Sequence, residues 1–167
     1  MAAVDPVVHQ LGVDVGVDDA FATFIDRFSA WWPRESSWSG DVLESMTLDP
    51  RPGGLLSEHG PHGFRLDWGR IIAWEPPHRL VFTWQLASDR TPEPNPARAS
   101  EVEVRFVADG ASRTRVELEH RAFDRHGDGA EAYRDGMASA DGWPRILEAY
   151  AAAVRRRTEA PWEGLTT

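Results

Sequence analysis

The segment from residue 69 to residue 86, GRIIAWEPPHRLVFTWQL, restricts the fold more than any other part of the chain. It holds two apolar, aromatic-rich runs that meet at Pro76-Pro77, and proline cannot donate to the hydrogen-bond ladder of a central strand. The pattern predicts two strands joined across the proline pair. In the second strand Leu80, Phe82 and Trp84 share one face, because successive side chains alternate between the two faces of a sheet. We expect the rest of the chain to extend this hairpin or to cover it.

Alternating apolar residues predict further strands on both sides of the hairpin. The predicted strands cover residues 7–17, 42–49, 55–59, 64–75, 79–86, 101–107 and 113–120. In the fourth of them Phe64, Leu66 and Trp68 lie on one face, and Gly69 marks a bulge or a close backbone approach. Short turns between successive strands predict an antiparallel sheet.

Two helical regions flank these strands. The first is expected to begin at Asp18, a good N-cap, and to end near Trp31-Trp32-Pro33. The second runs from Ala130 onward with apolar residues at three- and four-residue steps. At Gly142-Trp143-Pro144 either one helix kinks, or a short helix ends and the main helix begins with Pro144 in its first turn.

The order of these elements predicts an α+β fold. A sheet with one apolar face must cover that face, and the last helix is the only long cover available. We therefore predict a strongly curved antiparallel sheet of about seven strands wrapped around a long C-terminal helix, with short helices after the first strand. Residues 1–158 are expected to form a single domain, followed by a tail at residues 159–167 that carries Trp162.

Composition excludes several classes of function. The chain has no cysteine, which rules out disulfides and thiolate chemistry, and a net charge of −9, which argues against binding nucleic acid or an anionic membrane. It has no signal-peptide pattern and no apolar run near the ~20 residues that span a bilayer, so we predict a cytoplasmic protein, either a monomer or a homodimer. No phosphate-binding loop or dinucleotide fingerprint is present, and no cofactor is expected. His59 and His62 lack a third nearby ligand, so no metal is expected.

Five short motifs occur in order along the chain and resemble one bacterial family. They are Trp31-Trp32, Arg51-Pro52-Gly53-Gly54, the hairpin with its Thr83-Trp84 ending, His120-Arg121-Ala122-Phe123, and Gly142-Trp143-Pro144 followed by Leu147. Over roughly residues 7 to 157 the chain resembles the family related to the C-terminal domain of the activator of the heat-shock protein 90 ATPase, within the SRPBCC or START-like (birch-pollen-allergen-like) superfamily. The resemblance implies a helix-grip fold with a cavity between sheet and helix. The resemblance does not identify catalytic residues in this chain, because the family has no shared catalytic motif that the sequence matches.

The candidate ligand contacts are mostly aromatic. The chain has eight tryptophans, and large aromatic side chains fill cores but also line apolar pockets. Core packing is therefore the alternative for every candidate. The predicted ligand-binding residues are Trp32, Phe64, Trp68, Phe82, Trp84, His120, Phe123, Trp143 and Tyr150.

Three functions stay open at this stage. The lack of a catalytic constellation favours a protein that binds a small, largely apolar molecule, either a lipid or an aromatic metabolite. The alternative is an enzyme of the cyclase, aromatase or dehydratase kind, which would use His120 as a general base in an open cavity. The third is a co-regulator of a chaperone ATPase, which would need a binding patch on the outer face of the sheet.

Overall fold

Seven antiparallel strands form one sheet in the order β1-β7-β6-β5-β4-β3-β2. The structure is a computed structural model, and it describes residues 3–159. The strands are β1 (Val7–Val13), β2 (Ser45–Leu48), β3 (Leu55–His59), β4 (Arg65–Glu75), β5 (Arg79–Trp84), β6 (Ser100–Ala108) and β7 (Thr114–Arg121). The helices are α1 (Val17–Asp26), α2 (Phe28–Trp31), α3 (Ala130–Ala138) and α4 (Trp143–Glu159). The predicted helix-grip fold is confirmed.

The hairpin β4-β5 lies in the middle of the sheet. The register of β3 against β4 shifts between Leu56 and Ser57, opposite Gly69, and β4 shifts again against β5 between Ile71 and Ala73. Such bulges increase the local bend and twist of a sheet. A Cβ on Gly69 would lie 2.7 Å from the carbonyl oxygen of Thr83, so the predicted close backbone approach at this glycine is confirmed.

The inner face of the sheet and helix α4 form the core between them. The inward side chains of β5, β6 and β7 are buried, as the alternating pattern predicted. Exposure alternates fully only along β7, because the outward Val81 and Thr83 of β5 and Glu103 of β6 are buried as well. Helix α4 presents its apolar side chains to this face at three- and four-residue steps. The buried side chains of α4 are Trp143, Ile146, Leu147, Tyr150, Ala151, Ala153 and Val154.

The start of α1 differs from the prediction, and the start of α4 decides between the two alternatives at Gly142-Trp143-Pro144. Strand β1 ends at Val13, and α1 begins at Val17 with Gly16, not the predicted Asp18, as its N-cap. Asp18 lies in the first turn of α1, where its carboxylate interacts favourably with the helix dipole. Helix α4 begins at Trp143, so Pro144 occupies its first turn, where the missing N–H needs no partner. Helix α3 is separate. Residues 160–167 of the predicted tail, with Trp162, lie outside the described residues.

The outer face of the sheet carries paired charges. Glu103 is 5% exposed and accepts hydrogen bonds from Arg79 at 2.7 Å, Arg105 at 2.8 Å and Arg121 at 2.5 Å. Burial alone would raise the pKa of Glu103, but these three hydrogen bonds outweigh it and lower the pKa to about 2. Around Glu103 the outer face is therefore a network of partnered charges. Within residues 3–159, no helix is long and apolar enough to cross a membrane.

Candidate ligand-binding site

Four tryptophans, from β4, β5, α4 and the residue after α2, meet in the interior. The ring centroid of Trp84 lies 5.2 Å from that of Trp68, 5.4 Å from that of Trp143 and 6.2 Å from that of Trp32. Each of the four is at most 4% exposed. The structure thus brings together the tryptophans that the sequence singled out, but their rings touch, so the space between Trp84 and Trp143 is filled.

The remaining predicted residues are more scattered. Phe82 packs edge-on against Trp68, and Phe123 lies over His120 with ring centroids 4.1 Å apart. Tyr150 lies further along α4 and donates its hydroxyl to the carbonyl oxygen of Ala20 at 2.6 Å. Phe64 does not join this group: it precedes β4 and is 39% exposed, because the alternation of the strand begins only after it.

The indole N–H groups of the interior find different partners. Trp31 donates to the carbonyl oxygen of Phe24 at 3.1 Å, and Trp68 donates to the sulfur of Met46 at 3.2 Å. Trp84 donates to the Tyr133 hydroxyl oxygen at 2.6 Å. Among the described side chains, the Nε1 of Trp32 is buried without a hydrogen-bond partner.

His120 is part of a buried hydrogen-bond chain. Its Nδ1 accepts from Nε1–H of Trp143 at 2.9 Å, which places the ring proton on Nε2. That Nε2–H donates to the Ser100 hydroxyl at 2.7 Å, and the hydroxyl in turn donates to Nε2 of His126 at 2.8 Å. Burial lowers the pKa of His120 well below its usual value and holds the ring neutral. Both ring nitrogens are engaged inside the core, so this geometry does not support His120 as a general base for a bound ligand.

The neutral state of His120 predicts a pH-dependent stability. Protonation in the unfolded chain begins below pH ~6.5, whereas the folded ring stays neutral until a much lower pH. The unfolded state therefore binds more protons, and stability falls as the pH drops below that value. We expect a loss of up to about 1.4 kcal/mol per pH unit from this residue alone, measured by urea unfolding between pH 7.5 and 5.

The matched variants for this test are His120→Gln and His62→Asn. The first removes the buried titrating ring and is expected to flatten the pH dependence, although it also lowers stability at every pH. His62 is exposed in a turn with a left-handed backbone that asparagine tolerates, so its variant is expected to keep the native slope. An unchanged slope in His120→Gln would contradict the assignment.

A cavity of about 510 Å³ lies beside this interior, between α3, the start of α4 and the chain after β5. Trp84 and Tyr133 form part of its wall. Its volume is typical of small-molecule sites. The residues that line it are Ser36, Trp84, Leu86, Ala87, Ser88, Arg90, Gly129, Ala132, Tyr133, Gly136, Met137, Ser139, Asp141, Gly142 and Ile146.

Tyr133 links the cavity wall to the sheet. Its hydroxyl accepts from Trp84 and donates to the carbonyl oxygen of Leu86 at 2.8 Å, which ties α3 to the end of β5. Burial raises the pKa of Tyr133, so the hydroxyl is neutral at physiological pH. Since its one proton is donated to Leu86, the hydroxyl oxygen has one lone pair left to accept a hydrogen bond from a ligand hydroxyl, and it does not supply a phenolate.

Most of these lining residues were missed by sequence reasoning, which predicted only Trp84 among them. Tyr133 and Met137 are four residues apart and share one face of a helix, so their spacing was a usable signal. The sequence around Arg90 and Ser36 gave no signal for a ligand contact, since both residues lie in polar segments between the predicted strands and helices. Within the described part of the chain, no cluster of three or more metal-ligating side chains occurs, and His59 Nε2 lies 3.1 Å from the Thr47 hydroxyl.

Comparison with known proteins gives consistent matches. The sequence profile of the family described as activator of Hsp90 ATPase homolog 1-like protein matches residues 14–155. An anthrahydroquino-gamma-pyrone synthase is 33% identical, with 92% of this chain and 99% of that chain covered and a TM-score of 0.64. A self-sacrificing resistance protein, CalC from Micromonospora echinospora, is 30% identical, with 91% and 95% covered and a TM-score of 0.62.

A more distant structure supports the fold alone. Protein NE0264 from Nitrosomonas europaea is 14% identical, with 93% of this chain and 99% of that chain covered and a TM-score of 0.63. Among curated proteins no significant match was found.

Proposed function

The chain belongs to the family of activator of Hsp90 ATPase homolog 1-like proteins, and from this premise we propose that it binds a small, largely apolar, polycyclic aromatic molecule in the cavity beside α3. The observation that carries the proposal is the cavity itself, with its volume of about 510 Å³ and its mixed lining. Flat aromatic side chains at its wall favour a flat aromatic partner.

The lining divides into an apolar wall and a polar rim. Leu86, Met137 and Ile146 lie with the aromatic wall, and burying apolar ligand surface against them is the driving force for binding. Arg90 and Asp141 are exposed and flank the opening, where they meet polar substituents of a ligand. Ser36, Ser88, Tyr133 and Ser139 add further polar groups to the lining, and such groups fix the orientation of an otherwise apolar molecule.

The name of one relative supports the choice of ligand class. The 33% identical structure is named as a synthase of an anthrahydroquino-gamma-pyrone, a polycyclic compound, and it is matched over almost its whole length. The 30% identical structure is named as a resistance protein. That second name specifies no ligand, so the polycyclic class rests on the synthase alone.

The test is a titration of the purified protein with anthracene-2-sulfonate, in which isothermal titration calorimetry measures binding. We expect saturable binding with a negative heat-capacity change, the mark of buried apolar surface. Ala132→Trp fills the cavity from α3 and is expected to weaken binding at least tenfold. Glu131→Trp adds the same side chain at the neighbouring exposed position, which does not line the cavity, and is expected to keep the native affinity.

Equal affinities of these two variants would contradict the proposed site, and absence of binding to the native protein would contradict the proposed function. Position 132 is exposed on α3. Loss of folding is therefore not expected in Ala132→Trp, and a thermal melt checks this for each variant.

A second candidate is catalysis in the same cavity, favoured by the synthase among the relatives. With His120 engaged in the core and Tyr133 neutral, such catalysis would depend on holding a reactive molecule in the right shape. Ligand extracted from the purified protein and returned to fresh protein separates the two candidates. An unchanged mass by mass spectrometry supports binding, and a changed mass supports turnover.

Regulation of a chaperone ATPase stays a prediction. A partner at the outer face of the sheet would meet charges that already bind one another, such as Glu103 with its three arginines. Breaking these pairs would oppose docking there. Stimulation of a purified bacterial chaperone ATPase by this protein would revive the idea.

A further inference from the structure

The lining of the cavity carries one positive charge that no carboxylate opposes. Its charged residues are Arg90 and Asp141. Asp141 accepts a hydrogen bond from Arg145 at 2.8 Å, so the charge of this carboxylate is already paired. Asp89 does not line the cavity, and its carboxylate accepts two hydrogen bonds from Thr91. In the described part of the chain the guanidinium of Arg90 forms no ion pair.

The backbone at Arg90 has the left-handed conformation, with a φ angle of 70°. This residue closes a tight turn, in which its N–H donates to the carbonyl oxygen of Ala87 at 2.8 Å and the N–H of Ala87 donates to that of Thr91 at 2.8 Å. Glycine adopts this conformation without steric cost, so arginine is the less stable choice here. Residues held in such conformations cluster at ligand sites, and the side chain of Arg90 is therefore a candidate for a ligand contact.

A hydrogen bond holds the Arg90 side chain at the opening of the cavity. Its Nη1 donates to the carbonyl oxygen of Ser37 at 3.0 Å, and the neighbouring Ser36 lines the cavity. A guanidinium has five N–H donors in a planar fork. Within the described residues, the bond to Ser37 is the one hydrogen bond that this side chain makes to protein. The remaining donors can bind an oxyanion, whose geometry matches the fork.

We propose that Arg90 binds an anionic substituent of the ligand at the opening of the cavity, which makes the protein selective for polycyclic aromatic acids over neutral polycycles of the same shape. This inference rests on the proposed function and adds the chemical class of the ligand. The apolar wall buries the rings, while the acid group stays at the exposed rim and keeps part of its hydration. The competing account is structural: Arg90 would then only hold the loop at Ser37 against the turn after β5.

The test compares two probes of the same shape, anthracene-2-sulfonate and its neutral sulfonamide, by fluorescence titration at neutral pH. The net charge of the chain is −9, which by itself disfavours the anion. We nevertheless expect the native protein to bind the sulfonate about three- to fivefold more tightly at low salt, the effect of one exposed ion pair. At about 1 M salt this preference is expected to disappear, because exposed charges are then screened.

Two variants locate the preference. Arg90→Gln removes the charge at the opening and is expected to lose the preference while binding the sulfonamide as the native protein does. Arg70→Gln is the matched control, because it changes the net charge equally. Arg70 is exposed and donates to the carbonyl oxygen of Gly53 at 3.3 Å, but it does not line the cavity, so its variant is expected to keep the preference.

The ratio of the two affinities separates this inference from the structural account. Loss of the bond to Ser37 alone would weaken both probes equally and leave the ratio unchanged in Arg90→Gln, and that result would overturn the inference. A native protein that binds the sulfonamide as tightly as the sulfonate would also overturn it and leave the proposed function intact. Failure of the native protein to bind either probe would overturn both.

Discussion

Trp143→Ala is expected to lower the free energy of unfolding by about 3–5 kcal/mol, the range for removing a fully buried large aromatic side chain. Trp143 is 1% exposed, and its ring lies against those of Trp84, His120 and Trp32. The substitution also removes the donor to His120 Nδ1 and leaves that nitrogen buried without a partner. Domains of this kind are stable by only about 5–15 kcal/mol, so the loss would be a large fraction of the total.

Two further variants separate the causes of this loss. Trp143→Phe keeps an aromatic ring but removes the indole N–H and part of the volume, and we expect a loss of about 1–3 kcal/mol. Trp38 is 52% exposed, and Trp38→Ala is expected to change stability by less than about 1 kcal/mol. Urea unfolding followed by circular dichroism measures all three. A cost below 1 kcal/mol for Trp143→Ala would mean that this ring does not organise the interior.

The fold could be predicted because its determinants are local and repetitive. The inward positions of β5, β6 and β7 follow from the two-residue period of a strand, and a glycine inside a strand, such as Gly69, indicates a bulge or a close backbone approach. Helix starts were less predictable. Gly16 and Asp18 are both acceptable N-caps, and the choice depends on how the preceding strand ends.

The candidate site could be predicted only in part. Sequence patterns identify residues that face inward, and Trp68, Trp84 and Trp143 do so. Whether inward-facing rings enclose a space or fill it depends on their tilts, which no periodicity encodes. His120 illustrates the same limit, because its partners Ser100 and His126 come from separate elements and show no common motif. The cavity lies outside the cluster of tryptophans, between α3 and the chain after β5.

Gly142→Ala is expected to lower the free energy of unfolding more than any other change in the lining of the cavity. A Cβ at this position would lie 2.2 Å from the carbonyl oxygen of Met137 and 2.7 Å from that of Gly136. Both are backbone atoms, so the end of α3 would have to move away from the start of α4. We expect a loss of about 3 kcal/mol, at the upper end of overpacking costs. Because Met137 and Gly142 both line the cavity, binding of anthracene-2-sulfonate should weaken as well.

Gly136→Ala is the matched control for this change. Gly136 also lines the cavity and lies within α3, but a Cβ there would meet no atom within 4 Å. Replacing a helical glycine by alanine stabilises by about 0.5–1 kcal/mol, so the two substitutions are expected to have opposite signs. Thermal melts and urea unfolding measure both. Equal stability of the two variants would show that the end of α3 can move away from the start of α4 at little cost. The wall of the cavity on that side would then not be rigid.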